Sequence, residues 1–224
     1  AAQKAGADFV PLERNPVDAI WRDRPAPPSA PVVAHPVEHA GRTVADKVAA
    51  TEEAIGKAGA DMAVVTATDN VAWLFNVRGS DVAHTPVALA RAVVRPGRAP
   101  VLLVDPDRLT AAARAALEGV AEVAPPDALA GHLAEAGRER LKVLADPDEA
   151  PEAILAHLEE AGTTIVEGKD PVTALKAVKN EAEIAGARRA AVRDGVAFVR
   201  FLHWLEGALR TGGLDEIAVA ERLE

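Results

Sequence analysis

Between Asp61 and Val166 the chain repeats one alternation, a short aliphatic run followed by a longer amphipathic stretch. Asp61–Thr66 (DMAVVT), Val87–Val94, Pro100–Val104, Val120–Val123, Leu141–Ala145 and Thr163–Val166 are the short runs. They are too brief for helices and rich in β-branched residues, so each is expected to be a strand. Most are apolar throughout rather than at alternate positions, as in strands covered on both faces. Pro96-Gly97 supplies a hairpin turn between the second and third runs. Thr43 with Asp46 forms a capping-box start for a helix whose face carries Val44, Val48 and Ile55, and Gly59 ends it. Thr110 opens an Ala-rich helix to Leu117, and Asp127–Ala136 and Pro151–Ala161 read as further helices. Strands spaced by helices of about ten to fifteen residues define an α/β domain, a mixed sheet flanked by helices.

The flanks follow other rules. Pro25, Pro27, Pro28, Pro31 and Pro36 crowd the segment before this domain. Proline fixes φ and lacks a backbone donor, so residues 25–41 are expected to be an extended linker with neither helix nor central strand. Ala1–Gly6 resembles the tail of a helix and Phe9–Leu12 is an apolar run, so residues 1–24 are expected to end an upstream domain. Residues 42–170 form the α/β domain. Residues 171–224 are expected to begin another domain that the chain does not complete. There Asn180 and Glu183 make a second capping signal, and Ile184, Val192, Val196, Val199, Leu202, Leu205 and Leu209 recur at helical spacing up to Gly212-Gly213. A helix of about thirty residues would be roughly 45 Å long. Asp215 then opens another, with Ile217, Ala220 and Leu223 on one face.

Charge and composition narrow the function. Lys and Arg number 25 against 34 Asp and Glu, a formal net charge of −9, and aromatic residues are 3%. A nucleic-acid partner would need a basic face and stacking surfaces, so none is expected. With no cysteine, disulfides, thiolate metal sites and thiol catalysis are excluded. The apolar runs are far shorter than a membrane span, so no membrane partner and a cytoplasmic location are expected.

Few motifs survive inspection. His35-Pro36-Val37-Glu38-His39 fits the H-x-x-E-H pattern, but that chemistry needs both imidazoles on one helix face, which Pro36 opposes. Gly162–Lys169 has five residues between its glycines and Asp170 after the lysine, so it is no phosphate loop. No G-x-G-x-x-G follows a strand, and neither Ser29 nor Ser80 lies in a G-x-S-x-G elbow. His132, His157 and His203 read as surface or flank residues. Thr66–Val87 is the informative stretch: Asp69, Asn76, Arg78, Ser80 and Asp81 surround the apolar core Val71–Phe75, beyond the end of a strand where sites are built. The plainer reading has Trp73, Leu74 and Phe75 in the core, with Arg78 and Asp81 paired across the turn at Gly79.

These residues carry a resemblance. TA-x-D-x-x-AWLFN-x-RGSDV, from Thr66 to Val82, resembles the middle domain of the three-domain aminopeptidase P family, Xaa-Pro aminopeptidases among the M24 pita-bread metallopeptidases. Asn15–Pro25 is similar to the segment that precedes that domain, and Lys176–Asn180 with Glu183, Gly186, Arg188, Arg193, Asp194 and Gly195 to the start of the catalytic domain. Thr85, Ala187 and Ala191 depart from the family's usual asparagine, methionine and histidine.

The resemblance implies a creatinase/prolidase N-terminal-like α/β fold, followed by the first helices of a truncated pita-bread domain. It implies a parent enzyme that removes the N-terminal residue from peptides with proline in second position. Two divalent metal ions, usually manganese, would be held there by two aspartates, a histidine and two glutamates. All lie later in the family's chain, so this fragment is expected to bind no metal and to be inactive alone. Its partners would be the peptide substrate, its own catalytic domain and a second copy in a homodimer. Arg78, Ser80, Asp81 and His84 are the candidates for the substrate cleft or domain junction, with Arg78 and Asp81 orienting that junction. A prolidase- or creatinase-like hydrolase, or a scaffold without catalysis, are the alternative readings.

Overall fold

The computed structural model describes Gly6, Asp8, Val10, Leu12 and residues 14–223. The expected helix tail at Ala1–Gly6 and the run Phe9–Leu12 therefore lie largely outside the described residues. Helix α1, Pro16–Ile20, is started by Asn15, whose side chain accepts from the Val17 amide at 3.0 Å. Residues 21–29 are exposed, with a turn at Arg22-Asp23 and neither helix nor strand after it.

The proline-rich segment departs from expectation at its end. Val33–Ala34 is a strand (β1), and Val37–Ala40 is one helical turn (α2) closed by Gly41 in the left-handed region at φ 69°. Pro36 occupies the N-cap, where a missing N–H leaves no helical bond unmade, so the prolines exclude helix only up to that point. Val32 is fully buried and exchanges backbone bonds with Arg108 and Thr110.

Helix α3, Val44–Lys57, starts at the capping box formed by Thr43 and Asp46. Strand β2, Met62–Val65, is buried along its length. It is followed by helix α4, Thr68–Leu74, and the short strand β3, Val77–Arg78, which pairs antiparallel with β1. Thr66–Val87 is thus partly helical rather than all loop. Its last five helical residues, Asn70–Leu74, are all buried, so α4 has no amphipathic period to announce it.

Strands β4, Arg91–Val94, and β5, Val101–Leu103, form the hairpin around Pro96-Gly97, with Gly97 at φ 79°. Helix α5, Ala111–Leu117, capped by Thr110, crosses to β6, Glu122–Ala124. Helix α6, Leu129–Arg138, leads to β7, Lys142–Ala145, and helix α7, Glu152–Glu160, leads to β8, Thr164–Glu167. The six strands are ordered β6-β5-β4-β2-β7-β8, mixed as expected: β2, β7 and β8 run parallel, as do β5 and β6, while β4 is antiparallel to both its neighbours.

Alternation along β2 separates two cores. Met62 and Val64 face Leu129, Leu133, Ile154 and Leu158 of α6 and α7. Ala63 and Val65 face Val48, Ile55, Trp73, Phe75, Ala113 and Val172 on the other side. Helices on both faces explain why the strands carry apolar residues at consecutive positions.

Asp170 caps helix α8, Pro171–Ala177, through the Val172 amide at 2.8 Å. Helix α9, Glu181–Thr211, follows directly and has 31 residues. Gly212 ends it, and α10, Glu216–Leu223, folds back against it. No residue of α9 is buried, and Val192, Phe198, Val199 and Leu209 are all more than half exposed. Among the described residues no helix is long and apolar enough to cross a membrane.

Candidate functional site

A group of charges and buried polar side chains lies where α9 leaves the α/β domain. Its centre is Lys47, on the inward face of α3 with Val44, Val48, Thr51 and Ile55. Lys47 is 1% exposed. Its Nζ donates to the Trp73 carbonyl at 2.9 Å and to Asn76 Oδ1 at 2.7 Å, and lies 4.1 Å from the Trp73 ring centroid. A buried ammonium without such partners would be prohibitive, so the acceptors and the ring's electron-rich face are what allow it here.

Asn76 sits at φ 49°, a conformation its short side chain tolerates. Its Nδ2 donates to the Arg42 carbonyl at 2.9 Å and its own carbonyl accepts from the His35 amide at 2.7 Å. One asparagine thereby ties β3 to the chain before α3 and after β1. The Arg78 guanidinium is also turned inward, with Nη1 donating to the Ala72 and Val77 carbonyls at 3.0 and 2.8 Å.

The opposite charge comes from α9. Trp73 Nε1 donates to Glu183 Oε1 at 3.1 Å, while Glu183 Oε2 accepts from the Asn180 amide at 2.9 Å. Asn180 Oδ1 accepts from the Glu183 amide at 3.0 Å, completing the capping box, and its Nδ2 reaches the Ala40 carbonyl at 2.8 Å. A Cβ on Gly41 would overlap the Asn180 side-chain amide. The turn that ends α2 and the cap that starts α9 are therefore built against one another.

Burial, with Arg78 and Arg42 nearby, lowers the Lys47 pKa to about 8, against the pull of Glu183. Burial, reinforced by Arg78, His39 and Lys47, lowers that of His35 to about 4, so its imidazole is neutral at neutral pH. Burial also lowers that of Arg78, partly offset by Glu183. Lys47 and Glu183 thus meet across the Trp73 indole, with Arg78 and Arg42 nearby. This arrangement holds two elements together; it presents no activated nucleophile and no acid–base pair facing a cleft.

Asp81 belongs to a second arrangement. It does not pair with Arg78, as expected from sequence, but with Arg108, whose Nη2 lies 2.7 and 2.6 Å from its two oxygens. Arg78 is occupied by carbonyls on its own side of the turn, and Arg108 is brought in by the crossing of Val32 with Leu109. Asp81 Oδ2 also accepts from the Leu89 amide at 2.7 Å, and Arg108 Nε donates to the Ala30 carbonyl at 3.0 Å. The pair pins the loop after Gly79 to the end of the linker. Burial alone would raise the Asp81 pKa, but Arg108 and the Leu89 amide outweigh it and hold the carboxyl below its ordinary range. Of the other two candidates, Ser80 is exposed, and His84 lies at φ 60° in the turn bridged by Val82 and Thr85.

The H-x-x-E-H segment is divided by its proline: helix α2 begins after Pro36, so His35 is off the helix that carries His39. Among the described residues no group of three or more His, Asp or Glu is arranged to hold a metal ion. Gly162 turns into β8, and Lys169 pairs with Asp148 at 2.5 Å. Lys47 is not among the residues the sequence singles out, although a lysine three residues after Val44 on the Val44–Val48–Ile55 face already marks a charge on the buried side. Nothing local announced the partnership of Trp73 with Glu183, 110 residues apart.

A model of the creatinase/prolidase N-terminal domain matches residues 23–183, from the linker to the first turn of α9. The chain belongs to that family. Among relatives of this creatinase/prolidase-type chain, a protein of Arthroderma gypseum named "Probable Xaa-Pro aminopeptidase P" is 33% identical over 229 residues, covering 97% of this chain and 36% of its own length. The crystal structure of X-prolyl aminopeptidase from Caenorhabditis elegans, described as a cytosolic enzyme with a di-nuclear active site, aligns with a TM-score of 0.84 at 32% identity. That alignment covers 99% of this chain and 37% of the worm protein, so it includes α9 and α10 as well as the α/β domain. The Xaa-Pro dipeptidase of Bacillus anthracis shares the fold, with a TM-score of 0.62 at 18% identity over 81% of this chain and 48% of its own. The chain spans about a third of the length of the curated relatives it matches.

Proposed function

We propose that the complete protein is a metal-dependent Xaa-Pro aminopeptidase, and that these 224 residues are a non-catalytic portion of it. The observation that carries this reading is the likeness to the worm enzyme across 99% of the chain, at an identity of 32%. The capped start of α9 lies within that likeness. The proposal includes the division at residues 1–24, 25–41, 42–170 and 171–224, an M24 pita-bread catalytic domain beginning near α8, a cytoplasmic location and pairing of two copies. Prolidase-like relatives share the fold at far lower identity, so the aminopeptidase reading is preferred.

A proline in second position removes an amide donor and restricts the residue before it. Hydrolysis of such a bond benefits from a walled cleft that holds a short N-terminal end. In this reading the α/β domain is a wall. Arg78 belongs to its junction with the catalytic domain, Asp81 holds the loop behind it, and Ser80 and His84 lie on the side a substrate or domain would meet. Two divalent ions, manganese by family resemblance, would be bound by the catalytic domain. The described residues do not form a fitting set of ligands for them.

The test compares the complete gene product with this chain on an Xaa-Pro peptide, with manganese and with a chelator. The reading expects chelator-sensitive release of the N-terminal residue by the complete protein. No release under any divalent metal would refute it.

A further inference from the structure

The long helix is joined to the α/β domain by little. Among the described residues, the direct side-chain bonds between the α/β domain and its cap and first turn are those from Trp73 to Glu183 and from Asn180 to Ala40, and no α9 residue is buried. The indole of Trp73 lies between the Lys47 ammonium over its face and the Glu183 carboxylate at its edge. A cation over the ring draws charge from it and sharpens the N–H as a donor, so the two contacts reinforce each other. We propose that Lys47, Trp73 and Glu183 form a charge-gated clamp that fixes the direction of α9 and loosens when Lys47 gives up its proton.

The surroundings make the clamp responsive. Lys47 faces Glu183 from α9, Arg78 from β3, Arg42 from the chain before α3 and His35 from the chain after β1, with His39 of α2 beside His35. Glu183 is the one group among these that favours the ammonium. Loss of the proton leaves a neutral amine that still donates to Trp73 O and Asn76 Oδ1. The α/β domain therefore stays intact while the pull on α9 is lost. This goes beyond the proposed activity, and because the test reads geometry rather than turnover, neither can fail on account of the other.

The chain has no cysteine, so spin labels placed by Glu118→Cys and Arg200→Cys report the distance from the domain to the middle of α9. The clamp predicts a distance distribution about twofold broader at about pH 9.5 than at about pH 7. In a Trp21→Phe, Trp204→Phe background the emission of Trp73 should titrate with a midpoint near 8, following Lys47. Glu183→Gln should move that midpoint to lower pH and broaden the distribution already at about pH 7. If Lys47→Met folds, its distribution should not respond to pH. The Trp73 titration uses the native lysine and does not depend on that variant folding. A flat Trp73 emission over this range would overturn the proposal, as would a titrating emission with an unchanged distance distribution.

Discussion

The indole N–H of Trp73 and the carboxylate of Glu183, 3.1 Å apart, join the buried helix α4 to the first turn of the exposed helix α9. Trp73→Phe keeps the ring under Lys47 and removes only the donor. A lost hydrogen bond to a charged group costs about 1.5–3 kcal/mol. That loss should appear in α9 rather than in the sheet: hydrogen exchange at the Ile184 amide should accelerate at least about tenfold, while β2 and β7 amides keep their protection.

Gly41 and Asn180 make the second tie. Gly41→Ala puts a Cβ where the Asn180 amide lies, on a backbone at φ 69° that disfavours any side chain. It should destabilise by more than about 1 kcal/mol. Asn180→Ala, which removes the cap and the bond to Ala40, should cost about 1–2 kcal/mol. The two residues share one contact, so the double variant should lose less than the sum, as measured by denaturant unfolding.

Asp81→Ala leaves the Arg108 guanidinium, 11% exposed, without its counter-ion. The expected loss is about 3 kcal/mol, little of it recovered by neutral substitutes. The Asp81 carboxyl titrates below its unfolded value, so its stabilisation is complete above about pH 4 and disappears as pH falls through the folded value. Acid unfolding of Asp81→Ala should therefore lose part of the pH dependence seen in the parent.

Lys47 works in the other direction. Its pKa is about 8 in the folded chain, so between there and the unfolded lysine value near 10.4 the unfolded state binds more protons. Stability of the α/β domain should rise by about 3 kcal/mol across that window. Cysteine and tyrosine are absent, which leaves lysines and the terminal amine as the groups titrating there. Urea midpoints of the native chain should climb with pH, and those of Lys47→Met should climb less.

The elements legible in the sequence were those with a period or a cap. Thr43 with Asp46, Thr110 and Asn180 with Glu183 each start the helix expected of them. The aliphatic runs became strands whose bounds moved by a few residues, since pairing rather than composition sets where a strand stops. Helix α4 was hidden because its burial is all-round, and α2 because a single turn after a proline has no pattern of its own. The site was half visible. Arg78 could be singled out from its block, but Asp81 meets Arg108 and Trp73 meets Glu183 only because distant segments cross. Those pairings are tertiary, and one chain read alone does not contain them.

Under the function proposed above, the complete protein is an Xaa-Pro aminopeptidase whose chemistry resides outside these 224 residues. The most direct measurement is release of the N-terminal residue from an Xaa-Pro peptide by the complete gene product and by this chain, each with added manganese. Turnover by the former, abolished by a chelator, and none by the latter is the expected result. Turnover by the 224-residue chain, or none by the complete protein, would contradict it.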